Sequence, residues 1–220
     1  MRLFLIRHGQ TPANVLGQLD TAHPGPGLTD LGARQASVIP EALREQPIDV
    51  IVASTLVRTQ ITAGPLAADR DLQIQVATGL HEIEAGSLEG LSDRASVRSY
   101  LQTIFAWGEG NLDATMPGAA NGHAFFTRFD TDIATVTASV ETAVVFSHGA
   151  AIRVWTAARA INIPPKFTIE NDLDNTGVVE LSGSPQAGWT LVSWAGMPVG
   201  GNQLTDHYAA DPLIDPADHL

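Results

Sequence analysis

Short apolar runs and amphipathic segments alternate along this chain. Apolar runs typical of strands buried on both faces of a sheet occupy 2–7, 49–53 and 143–146. Positions 72–76 alternate apolar and polar residues, as edge strands do. Apolar residues at helical spacing predict helices over 29–43, 54–66, 93–107, 125–136 and 150–158. Two late antiparallel strands are predicted at 177–181 and 189–194, around a Ser-Gly-Ser-Pro turn.

This alternation of strands and helices predicts an α/β fold, a three-layer α/β/α sandwich with a mainly parallel central sheet. The pattern weakens between 79 and 122, and we interpret about 91–122 as a lid insertion over the site. We expect a single domain over 1–205, followed by an acidic C-terminal tail at 206–220.

Composition narrows the class of protein. The 220 residues carry a net charge of −12, so the surface as a whole repels nucleic acid and anionic membranes. No cysteine is present, which excludes disulfides and thiolate metal sites. No apolar run is long enough to cross a membrane, and Met1 leads almost directly into the first strand with no sign of a signal peptide. We therefore expect a cytoplasmic protein.

The residues that carry chemistry stand at the ends of the predicted strands. Arg7 and His8 follow the first strand, and His148 follows the strand at 143–146. Parallel strands bring their carboxyl ends to one edge of a sheet, where open α/β folds bind ligands. Arg58 lies on the first turn of the helix after a third such strand. Two histidines and two arginines can thus converge in an anion pocket, with forked donors for phosphate oxygens.

A histidine in such a pocket can be a nucleophile, a general base or a metal ligand. A metal is the less favoured use, because the pocket is already electropositive and the chain has no His-x-His or His-x-x-x-His pair. Attack by a neutral imidazole on phosphorus fits the arginines better. The leaving alkoxide then needs a proton, which Glu82 can donate if a bound phosphate raises its pKa. Taken alone, Glu82 is better interpreted as a solvated loop acid.

Four motifs occur in the order found in a known family. They are Arg7-His8-Gly9-Gln10-Thr11, Ser54-x-x-x-Arg58-Thr59, Leu80-x-Glu82-x-x-x-Gly86-x-x-Glu89-Gly90 and Ser147-His148-Gly149. With these motifs the chain resembles the histidine phosphatase superfamily, branch 1, and within it the phosphoglycerate-mutase-like proteins. The resemblance extends from 3 to about 155, and the two late strands also suit the phosphoglycerate-mutase-like fold.

The resemblance implies that His8 becomes phosphorylated and that Glu82 donates the proton and later activates water. It also implies a set of groups that hold the phosphoryl group, namely Arg7, Asn14, Arg58, His148 and the backbone N–H of Gly149. The family uses neither a metal nor an organic cofactor, so the implied partner is a small phosphomonoester substrate alone.

Phosphatase and mutase activity share the phosphohistidine step. A mutase also needs cations for a substrate carboxylate and a second phosphate, yet the loop at 15–20, just after Asn14, has none. The motif at 86–90 also resembles the phosphatase form, not the Gly-x-x-Gln-Gly form of the mutases. We therefore favour hydrolysis of a small phosphorylated metabolite. The alternatives are mutase-type phosphoryl transfer and, less favoured because every catalytic residue is present, a catalytically silent phosphoester-binding domain.

The lid is expected to face the alcohol portion of the substrate. Candidate contacts are Trp107, Met116, His123 and Phe126. Plain packing in the core is an equally good interpretation of these side chains. The edge at 72–76 is exposed in this arrangement, so a homodimer that pairs this edge is possible.

Overall fold

The computed structural model describes residues 1–164 and 166–212, and within them one mixed sheet has six strands. The strands are β1 Arg2–Arg7, β2 Val50–Ser54, β3 Ile74–Ala77, β4 Thr142–Ser147, β5 Val178–Ser184 and β6 Gly188–Ala195. They lie in the order β3-β2-β4-β1-β5-β6. Strands β1 to β4 are mutually parallel, whereas β5 and β6 are antiparallel additions. The predicted mainly parallel sheet and its two late strands are confirmed.

Helices connect the strands. They are α1 Pro12–Leu16, α2 Asp30–Ser37, α3 Ile39–Ala42, α4 Val57–Arg70, α5 Arg94–Gly108, α6 Gly122–Val136, α7 Gly149–Arg159 and α8 Phe167–Glu170. The predicted continuous helix over 29–43 is wrong, because it divides at Val38. Pro40 has no N–H to donate into a preceding helix, and it sits in the first turn of α3 instead. Among the described helices, none combines the length and apolarity of a membrane span.

Two apolar clusters cover the two faces of the sheet. Alternate residues of β1 supply both, since Leu3 and Leu5 join one cluster and Phe4 and Ile6 join the other. The first cluster contains buried residues of α5, α6 and α7, and the second contains buried residues of α3 and α4. The sheet is therefore covered on both sides, which confirms the three-layer arrangement.

The segment expected to be a lid is packed into the body of the protein. Asp93 caps α5 by accepting hydrogen bonds from the N–H groups of Ala95 and Ser96. From there α5 packs against α7, and its Leu101 and Ile104 are fully buried. Burial on this scale fixes α5 to the core, so α5 belongs to the layer of helices on this face of the sheet. Of the acidic tail expected at 206–220, residues 206–212 fall within the described part of the chain.

Candidate active site

The register of β1 and β4 brings the two histidines together. Arg7, the last residue of β1, lies opposite Ser147, the last residue of β4. The next residue of each strand is a histidine, and the rings of His8 and His148 have centroids 5.2 Å apart. Both side chains are buried. The convergence expected from two parallel strand ends is therefore present.

The loop after His8 fixes the ring in one tautomer. Its Nδ1 lies 2.8 Å from the carbonyl oxygen of Gly9, so Nδ1 carries the hydrogen and donates it. The other nitrogen, Nε2, is then left with its lone pair. Burial lowers the pKa of His8 well below its usual value, and the charges of Arg58 and Arg7 lower it further. A lowered pKa favours the neutral imidazole, whose Nε2 then carries a free lone pair.

A glycine pair holds this loop against α2. A Cβ on Gly9 would lie 2.6 Å from the carbonyl oxygen of Gly32, and one on Gly32 would lie 2.2 Å from that of Gln10. Neither distance is sterically allowed, so both positions need glycine for the backbones to approach. The Thr62 hydroxyl accepts a hydrogen bond from the Gly9 N–H at 2.9 Å and completes the attachment of the loop.

His148 is held from its Nε2 side. This nitrogen lies 2.7 Å from the hydroxyl of Ser54, at the end of β2. Its Nδ1 is buried and has no hydrogen-bond partner within the described chain. Burial, followed by the charges of Arg58 and His8, lowers the pKa of His148 well below its usual value. Nδ1 is therefore the ring nitrogen that is left without a partner among the described residues.

Two buried arginines flank His8. Arg7 donates from Nη1 to the carbonyl oxygen of Leu173 at 2.8 Å and from Nη2 to the carboxylate of Asp211. Arg58 donates to the carbonyl oxygen and the carboxylate of Asp20, at 2.8 and 3.2 Å. The Nε atoms of both arginines are buried without partners in the part of the chain that is described. Each guanidinium is thus oriented by protein acceptors and keeps a donor in reserve for an anion.

Asn14 joins this group from α1. Its Oδ1 accepts hydrogen bonds from the backbone N–H of Thr11 at 3.0 Å and from the amide of Asn175 at 3.3 Å. The first of these bonds belongs to a capping box that starts α1. Because the oxygen is occupied, the amide nitrogen of Asn14 is the group left to donate into the pocket.

The carboxyl group of Glu82 lies at the N-terminus of α7. Oε1 accepts from the N–H groups of Ile83 and Ala151, both at 2.8 Å, and Oε2 accepts from Ala150 at 3.1 Å. Burial raises the pKa of Glu82, and these three backbone donors partly oppose that rise. The sequence predicts this rise from a bound phosphate, whereas in the structure burial raises the pKa of Glu82 without one. A raised pKa favours the protonated form of this carboxyl group, which is the form that can donate a proton.

One arginine outside the predicted set secures the Glu82 segment. Arg128 of α6 donates to the carbonyl oxygens of Gly79, His81 and Glu82 at 2.6 to 2.8 Å. Tyr100 adds a bond from its hydroxyl to the carbonyl oxygen of Ile83 at 2.9 Å. Neither role has a local sequence signal, because the residues come from two other elements, α5 and α6.

These residues surround a small cavity of about 40 Å³. Its wall is formed by Arg7, His8, Thr11, Asn14, Gln18, Leu19, Asp20, Thr21, Arg58, Glu82, Tyr100, Asp211 and Pro212. His148 stands beside His8 but not on this wall, and Gly149 follows it at the start of α7. Most of the predicted catalytic and phosphate-binding residues thus meet at one place. No group of side chains in the described residues is suited to hold a metal ion.

The four expected lid contacts lie elsewhere. Trp107, Met116 and Phe126 are buried in the cluster between the sheet and α5, α6 and α7. His123 is exposed and pairs with Asp113 at 3.1 Å. None of the four lies on the cavity wall, so the structure corrects their expected placement. The same segment reaches the wall through Tyr100, which the sequence analysis did not select.

The mixed six-stranded sheet and the pocket that contains His8, Arg7, Arg58 and Glu82 indicate the class of protein. The chain belongs to branch 1 of the histidine phosphatase superfamily, whose family model matches residues 3–196. This match confirms the family expected from the four motifs.

The chain is also similar to individual curated proteins and solved structures. The chain is 40% identical over 212 residues to PE-PGRS family protein PE_PGRS11 of Mycobacterium tuberculosis, covering 89% of this chain and 36% of that protein. It is 34% identical over 128 residues to an adenosylcobalamin/alpha-ribazole phosphatase of Salmonella typhimurium, covering 58% of this chain and 62% of the relative. The chain therefore matches less than two thirds of the length of either curated relative. A solved mycobacterial glucosyl-3-phosphoglycerate phosphatase, in complex with VO3, has a TM-score of 0.74 and 27% identity, over 89% of this chain and 99% of that one.

Proposed function

We propose that this chain hydrolyses small phosphomonoesters through a phosphohistidine intermediate on His8. The observation that carries the proposal is the state of the His8 ring. Its Nδ1 hydrogen is held by the Gly9 carbonyl and its pKa is lowered, so a neutral Nε2 shares a cavity with two arginines and a protonatable carboxyl group. These are the parts that phosphoryl transfer to nitrogen requires.

In the first step, Nε2 of His8 forms a bond to phosphorus while the bond from phosphorus to the ester oxygen breaks. The departing alkoxide takes the proton of Glu82. The unpartnered Nε–H groups of Arg7 and Arg58 and the ring of His148 stabilise charge on the three phosphoryl oxygens. The amide of Asn14 and the N–H of Gly149 are further donors to the same oxygens.

In the second step, a water attacks the phosphohistidine. The carboxylate of Glu82 takes one proton from that water, the bond from phosphorus to Nε2 breaks, and inorganic phosphate leaves. This step restores the protonated Glu82 and the neutral His8, so the cycle closes. None of these proton or group transfers uses a metal, and we expect turnover to survive a chelator.

The composition of the cavity wall favours an alcohol portion without negative charge. Among the described residues of the wall, the cations are Arg7 and Arg58, and both are assigned to the phosphoryl group. Asp20 adds a half-buried carboxylate at the same wall. A substrate carboxylate or a second phosphate would lie near acids with no further cation to pair with. This supports hydrolysis over mutase activity.

The decisive experiment is a phosphatase screen of the purified chain over a panel of phosphorylated metabolites. The panel includes alpha-ribazole phosphate and glucosyl-3-phosphoglycerate, the compounds named for two similar proteins. Phosphoglycerate mutase activity is assayed beside them. Release of phosphate from at least one neutral-alcohol ester, with no transfer between the hydroxyls of phosphoglycerate, is expected. Mutase activity alone would overturn the assignment, and binding without turnover would point to a silent domain.

Two further properties belong to the same proposal. We expect a cytoplasmic enzyme, which fractionation of cells that express the tagged natural gene would test. We also expect that a homodimer, if one forms, pairs the exposed edge β3, where Val76 is half exposed. Light scattering on the wild type and on Val76→Lys would reveal it, since a charge on that edge should yield monomers.

A further inference from the structure

The buried ion pair at Arg7 involves a residue from the other end of the chain. Asp211 accepts a hydrogen bond from Nη2 of Arg7, and each side chain is only 1% exposed. The proposed mechanism assigns Arg7 to the phosphoryl group, yet here a carboxylate already engages this arginine. Asp211 and Pro212 also form part of the cavity wall beside His8 and Arg58.

Residues 205–212, which we name the C-terminal strap, reach this position along the loop that carries the nucleophile. Gln10 lies two residues after His8, and its side-chain amide donates to the carboxylate of Asp206 at 2.8 Å. The N–H of Ala210 donates to the carbonyl oxygen of Val15 at 3.3 Å. The strap therefore rests on the nucleophile loop and on α1.

Its close approach to α1 depends on Gly17. This residue has φ +67°, and a Cβ there would lie 2.6 Å from the carbonyl oxygen of Ala210. The strap thus lies directly on the backbone where α1 ends. By contrast, Tyr208 in the middle of the strap is almost fully exposed. The middle of the strap is therefore exposed, whereas Asp211 and Pro212 are buried against the cavity.

A carboxylate at Arg7 opposes the binding of a phosphomonoester in the same cavity. The carboxylate and the phosphoryl group are both anions, and like charges at a few ångströms in a buried site repel strongly. The cavity of about 40 Å³ has room for about three waters, roughly a phosphoryl group without its alcohol. Asp211 and Pro212 form part of its wall, so lifting the strap would widen the cavity for the alcohol portion.

We propose that the C-terminal strap is autoinhibitory, with the Asp211 carboxylate holding Arg7 in place of a substrate anion until the strap lifts. The inference rests on the proposed function for its biological meaning, but the competition with phosphate does not require turnover. The apparent affinity for an anion equals the intrinsic affinity multiplied by the open fraction. A strap that is closed in about nine molecules of ten therefore weakens anion binding about tenfold.

The test uses the full chain and inorganic phosphate as the probe. Titration calorimetry compares the wild type with Asp211→Asn, which removes the charge and keeps an oxygen that can accept from Arg7. The matched control is Asp69→Asn, at the far end of α4 and about 17 Å along that helix from Arg58. We expect phosphate to bind at least fivefold more tightly to Asp211→Asn and unchanged to Asp69→Asn. With a phosphomonoester that the wild type hydrolyses, kcat/KM should rise at least threefold.

Unchanged or weaker phosphate binding by Asp211→Asn would overturn the inference, and a parallel fall in kcat/KM would make Asp211 a positioning residue for Arg7. If Asp211→Asn fails to fold, Asp206→Asn decides, because it releases the strap at Gln10 without touching Arg7. A smaller gain in phosphate affinity is expected there, and no gain refutes the strap. Absence of turnover in every variant, with tighter phosphate binding by Asp211→Asn, would defeat the proposed function and leave the strap standing.

Discussion

Replacing Glu82 by Gln tests the proton donor with little change of shape. In the wild type, Oε1 accepts two backbone hydrogen bonds and Oε2 accepts one. A Gln whose oxygen takes the place of Oε1 keeps the bonds from Ile83 and Ala151 and loses the bond from Ala150. Leaving the buried N–H of Ala150 without its acceptor costs about 1–3 kcal/mol, which is less than the roughly 5–15 kcal/mol that stabilises a typical domain. We therefore expect Glu82→Gln to fold.

The kinetic effect should depend on the leaving group. General acid catalysis contributes about 10²–10⁴ in rate, or about 3–5 kcal/mol of barrier. An alkyl phosphate releases a basic alkoxide and should lose that full factor in Glu82→Gln. A nitrophenyl phosphate releases a stable phenolate that hardly needs the proton, so its loss should stay below about tenfold.

The pH profile provides a second readout. Because burial raises the pKa of Glu82, the protonated donor persists to higher pH than an ordinary carboxyl group would. For an alkyl phosphate, kcat/KM of the wild type should fall as pH rises through that pKa. Gln does not titrate, so this limb should be absent from the profile of the variant.

The assay measures kcat/KM on both substrates from pH 5 to 8. The matched control is Glu84→Gln, a change on the same loop at a half-exposed carboxylate that pairs with His81 and does not lie on the cavity wall. It should leave the ratio between the two substrates unchanged. Equal losses on both substrates in Glu82→Gln, or an unchanged alkaline limb, would refute the proton-donor role.

Three other changes test the nucleophile and the packing around it. His8→Ala should abolish both turnover and acid-quenched phosphoenzyme label, and label that survives would exclude His8 as the nucleophile. Gly32→Ala should cost about 1–3 kcal/mol in urea unfolding, because its Cβ would lie 2.2 Å from the carbonyl oxygen of Gln10. Gly27→Ala is its control, since the nearest atom to a Cβ there is Cδ1 of Ile61 at 3.6 Å, an ordinary contact, and no loss of stability is expected. Equal effects at the two glycines would contradict the close approach. Thr156→Val should stabilise the fold by about 1 kcal/mol by removing a buried hydroxyl without a partner in the described residues, and a clear loss on urea unfolding would show that the hydroxyl is used.

Local pattern was sufficient wherever one segment determines its own conformation. The strand before His8 and the strand before His148 were predicted from a few apolar residues each, and the parallel register confirms that they end together. The edge strand at 72–76 also appears, shifted slightly, as β3. Pro40 indicates the division of the helix at Val38, because proline has no N–H to donate within a continuous helix. The apolar spacing over 29–43 does not carry this information, so the predicted continuous helix was wrong.

Long-range contacts explain what the pattern missed. Asp211 lies 204 positions from Arg7, and no spacing rule connects them. Arg128 and Tyr100 act on the Glu82 segment from helices whose docking depends on the whole core. The aromatic residues of the expected lid show a different limit of local pattern. Helical spacing shows that Phe126 faces an apolar environment, but not whether that environment is a core or a substrate.

The sequence alone therefore determined which residues end the central strands and which family of chemistry they suit. These features follow from apolar runs and from motif order, and both are properties of contiguous segments. Only the tertiary structure decided the burial that lowers the pKa of His8, the origin of the raised pKa of Glu82, the burial of Trp107 and Met116, and the pairing of Arg7 with the strap. The physical reason is that burial, hydrogen-bond partners and charge proximity are set by surfaces that meet only when distant parts of the chain pack together.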